Sequence, residues 1–410
     1  MYIFLAEGYI SYRMTLHRSL ILILYPPGGV FLKAVTYQGA KKVEVKEVPD
    51  AKIEKPDDII VRITSTAICG SDLHIYRGAM PAREDFVIGH EPMGIVEEVG
   101  PDVTKVKKGD RVVIPFNVAC GECFYCQNQL ESQCDNANEN PAIDSGAYFG
   151  FTERYGDFPG GQAEYLRVPY GNFIPFKVPD NCELEDEALL FISDVLPTAY
   201  WSVENAGVKK GDTVIVLGSG PIGLMVQKFA WMKGAKRVMV VDPLSYRLEH
   251  AKRTNNVEIF NFDDFDDVGN HLHEITHGGA DVVIDCVGMD GKMSLVEKAQ
   301  QKLKLQGGTL SAIEVGIKSV RKFGTIQLTG VYGSLYNMFP LGNIFERNVT
   351  VKMGQAPAIH YSQMLYEMVA EGKIDPTEII THKVPLSEAS EAYKKFHDHE
   401  DQSIKFILKP

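Results

Sequence analysis

A chain of 410 residues, 45% hydrophobic and 23% charged, is long enough for two or more domains and has the balance of a globular protein. Its 42 lysines and arginines against 54 acids leave a net charge of −12, which argues against nucleic acid or an acidic membrane surface as the main partner. No apolar run reaches about 18 residues, the length at which a helix crosses a bilayer.

In chain order, the first 31 residues stand apart. Arg13 and Arg18 precede a short apolar run, Leu20 to Tyr25, and Pro26-Pro27-Gly28-Gly29 then breaks regular structure. A signal peptide has that order of parts, but the run is short and no A-x-A-like cleavage site follows. A regular pattern begins at "LKAVTYQG". We read Leu32 as the start of the native chain, on an alternative initiator codon, with residues 1–31 a non-domain extension.

Residues 32–196 read as an irregular all-β domain. "DDIIVRITSTAIC" and "MGIVEEVG" have strand composition, and "KKGDRVVIP" is a turn running into a strand. Over 197–352 the rhythm changes. "DTVIVLG" is a short apolar strand, "GPIGLMVQKFAWMKGA" has helical spacing, and "RVMVVD", "ADVVIDCVG" and "FGTIQLTGVYG" are further strands. Strands alternating with helices imply the α/β class and a doubly wound parallel sheet. The segment 353–410 holds a helix over "YSQMLYEMVAEGKI" and a last strand in "SIKFILK".

Four of the seven cysteines crowd into one stretch as C-x2-C-x2-C-x7-C: Cys120, Cys123, Cys126 and Cys134. Four thiolates close a tetrahedral shell around Zn²⁺ and leave no open position, so such a site is structural. Free or oxidised thiols are the bland alternative, and an iron–sulfur cluster also takes four cysteines. The odd count, with Cys69, Cys182 and Cys286 far apart, suggests a reducing cytoplasm in which clustered thiols bind metal.

"CGSDLH" runs from Cys69 to His74, and "GHEPMG" starts at Gly89. Cys69 and His90 could share a second metal. A lone Cys and a lone His are weak signals, but Ser71, Asp72, His74 and Glu91 are unusual choices for a core. A catalytic zinc takes about three protein ligands and keeps one position open. "FISDVLPTAYW" offers Asp194 as the third, although alone it would read as a helix cap.

"VIVLGSGPIG" places Gly218, Gly220 and Gly223 as G-x-G-x-x-G between a strand and a helix, and Asp242 ends the next strand. The glycines permit a tight turn and close approach of a pyrophosphate to the helix N-terminus. Asp242 can accept from both adenosine ribose hydroxyls and would repel a 2′-phosphate, which favours NAD over NADP.

These parts together resemble the zinc-dependent alcohol dehydrogenases of the medium-chain dehydrogenase/reductase family. The resemblance runs from about Leu32 to Pro410, with "CGSDLH", "GHE", the four-cysteine loop, "GSGPIG" and "SIKF" in the family's order. It implies a GroES-like irregular β catalytic domain, a Rossmann NAD-binding domain, and a C-terminal segment returning to the catalytic domain. It implies two zinc ions per subunit, with Cys69, His90 and Asp194 holding the catalytic one and Glu91 able to join or leave its shell. Asp72 would orient His90. Ser71 and His74 match a proton relay, and Thr198 lies where the family touches nicotinamide. Arg247 would line the adenosine ribose, Lys405 would contact a cofactor phosphate, and backbone near Val287, Gly330 and Val331 would hold the carboxamide. The implied partners are NAD, a small alcohol or aldehyde, and further copies of the chain in a homodimer or homotetramer.

Two stretches exceed the family's usual length: "ANENPAIDSGAYFGFTERYGDFPGGQAEY" and "GMDGKMSLVEKAQQKLKLQGGTLSAIEVGIKSV". With "PFNVACG", "GGQAEY" and "SDVLPTAY" they resemble the glutathione-independent formaldehyde dehydrogenase branch. The expected reaction is reversible hydride transfer from an alcohol or aldehyde hydrate to NAD⁺. A polyol or amino-alcohol dehydrogenase is the rival among enzymes, and a non-enzymatic NAD- and zinc-binding sensor the rival outside them. A zinc-free quinone reductase would lack the cysteine loop and the "GHE" pattern. For the aromatic link from Asp135 to Tyr165, the resemblance implies a cover over the adenine end of NAD. Such a cover would retain the cofactor and permit aldehyde dismutation; the bland alternative is an oligomer contact.

Overall fold

The computed structural model describes residues 31–140, 143–290, 309–332 and 339–410. The N-terminal extension and much of the second long stretch, after Gly288, lie outside the described residues. Among them, no helix is long and apolar enough to cross a membrane.

A six-stranded sheet, parallel throughout, has the spatial order Glu258–Asn261, Arg237–Asp242, Thr213–Leu217, Ala280–Asp285, Val320–Leu328 and Thr350–Met353. Numbered along the chain this is 3-2-1-4-5-6, the Rossmann order. The order reverses between Thr213–Leu217 and Ala280–Asp285, and a crevice opens beyond the C-terminal ends of those two strands. All five residues of Thr213–Leu217 are buried. A strand covered on both faces can be an unbroken apolar run, which is why "TVIVL" does not alternate. Helix Pro221–Met232 follows at once, with Gly220 as N-cap and Pro221 at the first helical position, where no N–H is needed.

The second large sheet is mostly antiparallel and centres on Ile59–Ile68 and Glu91–Val99. Their register shifts twice, between Ile60 and Val61 and between Ile63 and Ser65, the irregularity that the Gly- and Pro-rich sequence leads one to expect. Glu91–Val99 starts two residues earlier than the "MGIVEEVG" pattern, because Glu91 and Pro92 already pair with Ala67 and Thr66. Antiparallel pairing sets the exit of one strand beside the entry of the other. Cys69 leaves the first and His90 enters the second, so the two meet.

The chain end joins this sheet. Phe406–Lys409 pairs antiparallel with Ile59–Ile68, with Phe406 opposite Ile68. The strand is shorter than "SIKFILK" suggests, because Ile404 and Lys405 donate their N–H groups to Thr381 Oγ1, at 3.0 and 3.2 Å. Helix Ala358–Ala370 begins before the expected stretch. Asn117 Oδ1 accepts from the Ala358 N–H at 2.8 Å and Glu131 accepts from that of His360, satisfying first-turn donors that have no partner within the helix. One buried cluster joins Ala67, Met93 and Val113 of this sheet to Val214, Val216 and Phe229 of the parallel half through helix Val195–Ala206.

Candidate active site

Cys69, His90, Glu91 and Asp194 converge, with one donor atom from each lying within 4.8 Å of the others and all four side chains buried. Cys69 Sγ is 3.3 Å from Asp194 Oδ2, and His90 Nε2 is 3.4 Å from the same oxygen. Asp194 is the N-cap residue of helix Val195–Ala206, yet its side chain makes no capping hydrogen bond. It turns inward, and Thr198 Oγ1 donates to its Oδ1 at 2.8 Å. Asp72 accepts from the Cys69 N–H at 3.0 Å and places Oδ1 3.1 Å from His90 Nδ1, leaving Nε2 toward the cluster.

The electrostatics suit a cation at the centre. Burial, reinforced by Asp194, pushes the Cys69 thiol up to about 11. Burial also raises Asp194, but His90, Lys405 and Thr198 outweigh it and bring the carboxyl down to about 2. Glu91 Oε2 is buried without a hydrogen-bond partner. A sulfur, an imidazole nitrogen and carboxylate oxygens form a donor set for zinc, and a divalent ion among them would favour the thiolate outright.

The four cysteines form a second cluster. Cys123 Sγ lies 3.5 Å from Cys126 Sγ and 3.9 Å from Cys134 Sγ, and Cys120 Sγ lies 3.9 Å from Cys126 Sγ. A disulfide would need about 2.05 Å. A zinc tetrahedron with arms of about 2.3 Å has edges of about 3.8 Å, which these spacings match. The N–H groups of Glu122 and Cys123, both at 3.4 Å, and Asn136 Nδ2, at 3.3 Å, point at Cys120 Sγ. Donors aimed at sulfur favour the thiolate form that a metal requires.

The crevice of the parallel sheet carries the glycine motif. Gly218 has φ +92°, and a Cβ on Gly223 would sit 2.0 Å from the Gly218 carbonyl oxygen, so strand and helix pack as they do only with glycine there. Asp242 accepts from the N–H groups of Ser219, at 2.7 Å, and Leu244, at 2.8 Å. Arg247 lies close to Asp242 and Gly220, with Nε buried and unpartnered. At the far side Val287 N donates to Asp285 Oδ1 and Met289 N to the Val331 carbonyl, while Gly330 packs on Gly288. The turns at Val287, Gly330 and Val331 are thus brought together.

The chain is similar to known proteins along nearly all its described length. The alcohol dehydrogenase GroES-like domain matches residues 55–180, and the zinc-binding dehydrogenase family matches residues 221–311. The zinc-type alcohol dehydrogenase-like protein AdhB of Bacillus subtilis is 63% identical over 92% of this chain and 100% of its own. A glutathione-independent formaldehyde dehydrogenase of Pseudomonas aeruginosa is 34% identical, over 92% of this chain and 97% of its own. Among solved structures, the alcohol dehydrogenase TADH from Thermus sp. ATN1 superposes with a TM-score of 0.78 at 31% identity, over 92% of this chain and 99% of that one. This chain belongs to the zinc-type alcohol dehydrogenase family. It is a zinc-dependent oxidoreductase built from a GroES-like domain and a Rossmann sheet.

In this dehydrogenase a single cavity of about 560 Å³ connects Cys69, His90 and Asp194 with Gly218, Gly220 and Asp242. Ser71, His74, Thr198, Arg247, Val287, Gly330 and Val331 also border it. Ser71 Oγ is 3.3 Å from His90 Nε2.

Two expectations meet a more specific geometry. Lys405 borders the same cavity but is held from inside the fold: it is fully buried, its Nζ 2.5 Å from Glu91 Oε1 and its charge felt by Cys69 and Asp194. Register explains this, since pairing Phe406 with Ile68 sets Lys405 beside Cys69. The long aromatic link is expected over the adenine end, but its described residues meet the cavity beside His90. Its described residues that border the cavity are Tyr148 and Phe151, and Phe151 packs edge-on against His90 at 5.9 Å between ring centres. Tyr148 OH donates to the Ser132 carbonyl, and Phe149 and Phe158 pack in the core beside Cys126 and Cys134. The link therefore folds back onto the zinc-binding half of the dehydrogenase.

Sequence reasoning assigned no role to Phe116, Gln162 or Tyr393. Phe116 lines the cavity at 6.2 Å from the His90 ring. The signal for Gln162 was an amide within an otherwise small and apolar run; for Tyr393 there was none beyond the apolar face of helix Ala389–Asp398.

Proposed function

We propose that the enzyme transfers hydride between NAD and a small alcohol or aldehyde hydrate, using a catalytic zinc at Cys69, His90 and Asp194 and a structural zinc at the four cysteines. The observation that carries this is the continuity of the ligand cluster and the glycine-rich crevice in one cavity. Bound there, zinc would supply Lewis acidity at the substrate oxygen and NAD⁺ would accept the hydride.

The chain's own groups have separable tasks. Asp72 sets the His90 ring so that Nε2 faces the ligand cluster. Thr198 holds Asp194 Oδ1, which leaves Oδ2 to the cluster. Ser71 stands at the cluster's edge to take the substrate proton, and His74, bordering the same cavity, passes it on. The N-terminus of helix Pro221–Met232 offers its N–H groups to a pyrophosphate. Asp242 accepts the adenosine ribose hydroxyls and disfavours a 2′-phosphate, with Arg247 alongside. The backbone at Val287, Gly330 and Val331 holds the carboxamide.

The rings of Phe116, Tyr148 and Phe151 give the zinc end an apolar wall. A polyol would leave several hydroxyls against that wall without partners, at a cost for each. A short alcohol or aldehyde would not, in keeping with the formaldehyde dehydrogenase relative. The polyol reading has one feature in its favour, the unpartnered Glu91 Oε2 near the ligand atoms. NADH formation across short alcohols, formaldehyde and polyols tests the choice. Turnover confined to polyols would defeat it.

We also propose that the enzyme is a homodimer or homotetramer of the cytoplasm. Among the described residues Thr350–Met353 is an outer strand of the parallel sheet, and Met353 in it and Leu341 and Phe345 in the helix before it are 62%, 66% and 82% exposed. Edges of that kind pair with a second copy. Thiolate zinc sites persist where thiols stay reduced. Light scattering that reports a monomer at micromolar concentration would remove the first part.

A further inference from the structure

The contact between Asp72 and His90 does not stand alone. Gln162 is fully buried, and its Nε2 donates to Asp72 Oδ2 at 3.1 Å and to the Ala67 carbonyl at 3.0 Å. Its Oε1 accepts from Tyr393 OH at 2.8 Å, and Tyr393 is also fully buried. This pattern permits one orientation of the amide. Two groups that only accept lie on one side and a hydroxyl donor lies on the other, so a flipped amide would oppose like to like on the acceptor side.

The backbone supports the same arrangement. Gly160, Gly161 and Gln162 donate their N–H groups to the carbonyls of Val87, Gly89 and Ile88, at 2.8, 2.8 and 3.3 Å. The "GGQ" segment is therefore laced to the residues that lead into His90. Gly89 has φ +96°, and a Cβ there would lie 2.2 Å from Gln162 Cγ, so the Gln162 side chain occupies the space that a larger residue before His90 would take.

We propose that Tyr393 and Gln162 are positioning residues for the catalytic metal, acting through Asp72 on His90. Tyr393 fixes which way the Gln162 amide faces. Gln162 and the Cys69 N–H occupy Asp72 Oδ2, so Oδ1 is the oxygen turned to His90 Nδ1. The ring is thereby held with Nε2 aimed at the metal. A buried chain of this kind ties the C-terminal helix Ala389–Asp398 to a ligand in the catalytic half. The inference rests on the zinc reading of Cys69, His90 and Asp194.

The test is the rate at which zinc passes to a chromogenic chelator from Gln162→Leu, Tyr393→Phe and the double variant. Wild-type protein should release two zinc ions in two phases. In Gln162→Leu the catalytic-site phase should quicken about tenfold, the lower end for groups behind a ligand. In Tyr393→Phe it should quicken about threefold, and the four-cysteine phase should keep its rate in both. Cobalt substituted at the catalytic site should show an altered visible spectrum. Because the two residues act in series, the double variant should lose zinc no faster than Gln162→Leu alone. Tyr393→Phe removes a single hydroxyl, so it carries the test if Gln162→Leu fails to fold. Unchanged release and an unchanged cobalt spectrum in the folded variants overturn the proposal while leaving the zinc reading intact. Wild-type protein that releases a single zinc ion overturns the zinc reading itself.

Discussion

Lys405 Nζ lies 2.5 Å from Glu91 Oε1, and neither side chain is exposed to solvent. The pair joins the last strand to the first residue of Glu91–Val99, directly beside the cluster of metal-ligand candidates. Burial works against the charge of Lys405, but Glu91, Cys69 and Asp194 outweigh it and raise its pKa above the usual value. Removing one partner of a buried pair leaves the other charged and alone, which typically costs about 3–5 kcal/mol. Lys405→Met should therefore lower stability by about that much, and Glu91→Gln in the same chain should restore most of it. Denaturant unfolding of the two variants checks this; a Lys405→Met protein as stable as wild type contradicts the pairing.

Asp242 has a double duty. Both of its oxygens already accept backbone N–H groups from the glycine turn and the following loop. Asp242→Ala should weaken NAD binding and raise the NADP-to-NAD ratio of kcat/KM by about ten- to a hundredfold, the scale of one or two charge-assisted hydrogen bonds. Steady-state kinetics with both cofactors measures it. A fixed ratio would mean that Asp242 shapes the loop and does not read the ribose.

The aromatic wall makes a claim about substrate size. Phe151→Ala removes a buried ring beside His90. The variant should lose stability, and kcat/KM for longer or branched alcohols should rise about tenfold relative to ethanol. A chain-length profile that does not move would place the substrate elsewhere in the cavity.

Glu187 tests how the chain end is anchored. Its Oε1 lies 3.0 Å from Lys409 Nζ and 3.2 Å from Lys383 Nζ. Burial pushes its carboxyl up, but the two lysines and its own backbone bring it down to about 2, from an ordinary value of 4.5. A depressed folded-state pKa contributes stability above the unfolded value and loses it as pH falls toward the folded one. The melting-temperature gap between wild type and Glu187→Gln should thus be full above about pH 5 and shrink between about pH 4.5 and 2. A gap independent of pH would show that the charge of Glu187 does not matter there.

What could be read without the structure was what depends on local pattern. The buried run "TVIVL", the glycines and the following helix suffice for the parallel sheet, because each signal lies within one βαβ unit. Cys69 and His90 were legible as a pair because their polar neighbours had no place in a core. The pairing of Lys405 with Glu91 was not legible because it is set by the register of Phe406 against Ile68, residues far apart in the chain. The course of the aromatic link was hidden for a related reason. Its composition marks it as ordered, but its direction depends on positive-φ turns at Gly150, φ +60°, and Thr152, φ +87°, on either side of Phe151, which packs on His90. Gln162 and Tyr393 stayed silent because a buried hydrogen-bond chain leaves no periodicity in sequence.

We propose that Asp194 completes a catalytic zinc site separate from the four-cysteine site. The direct measurement is zinc per chain by mass spectrometry in wild type and Asp194→Ala, alongside turnover and melting temperature. The account predicts two zinc ions in wild type, and one in Asp194→Ala with turnover abolished and the fold retained. An Asp194→Ala protein that keeps both zinc ions and wild-type turnover would contradict it.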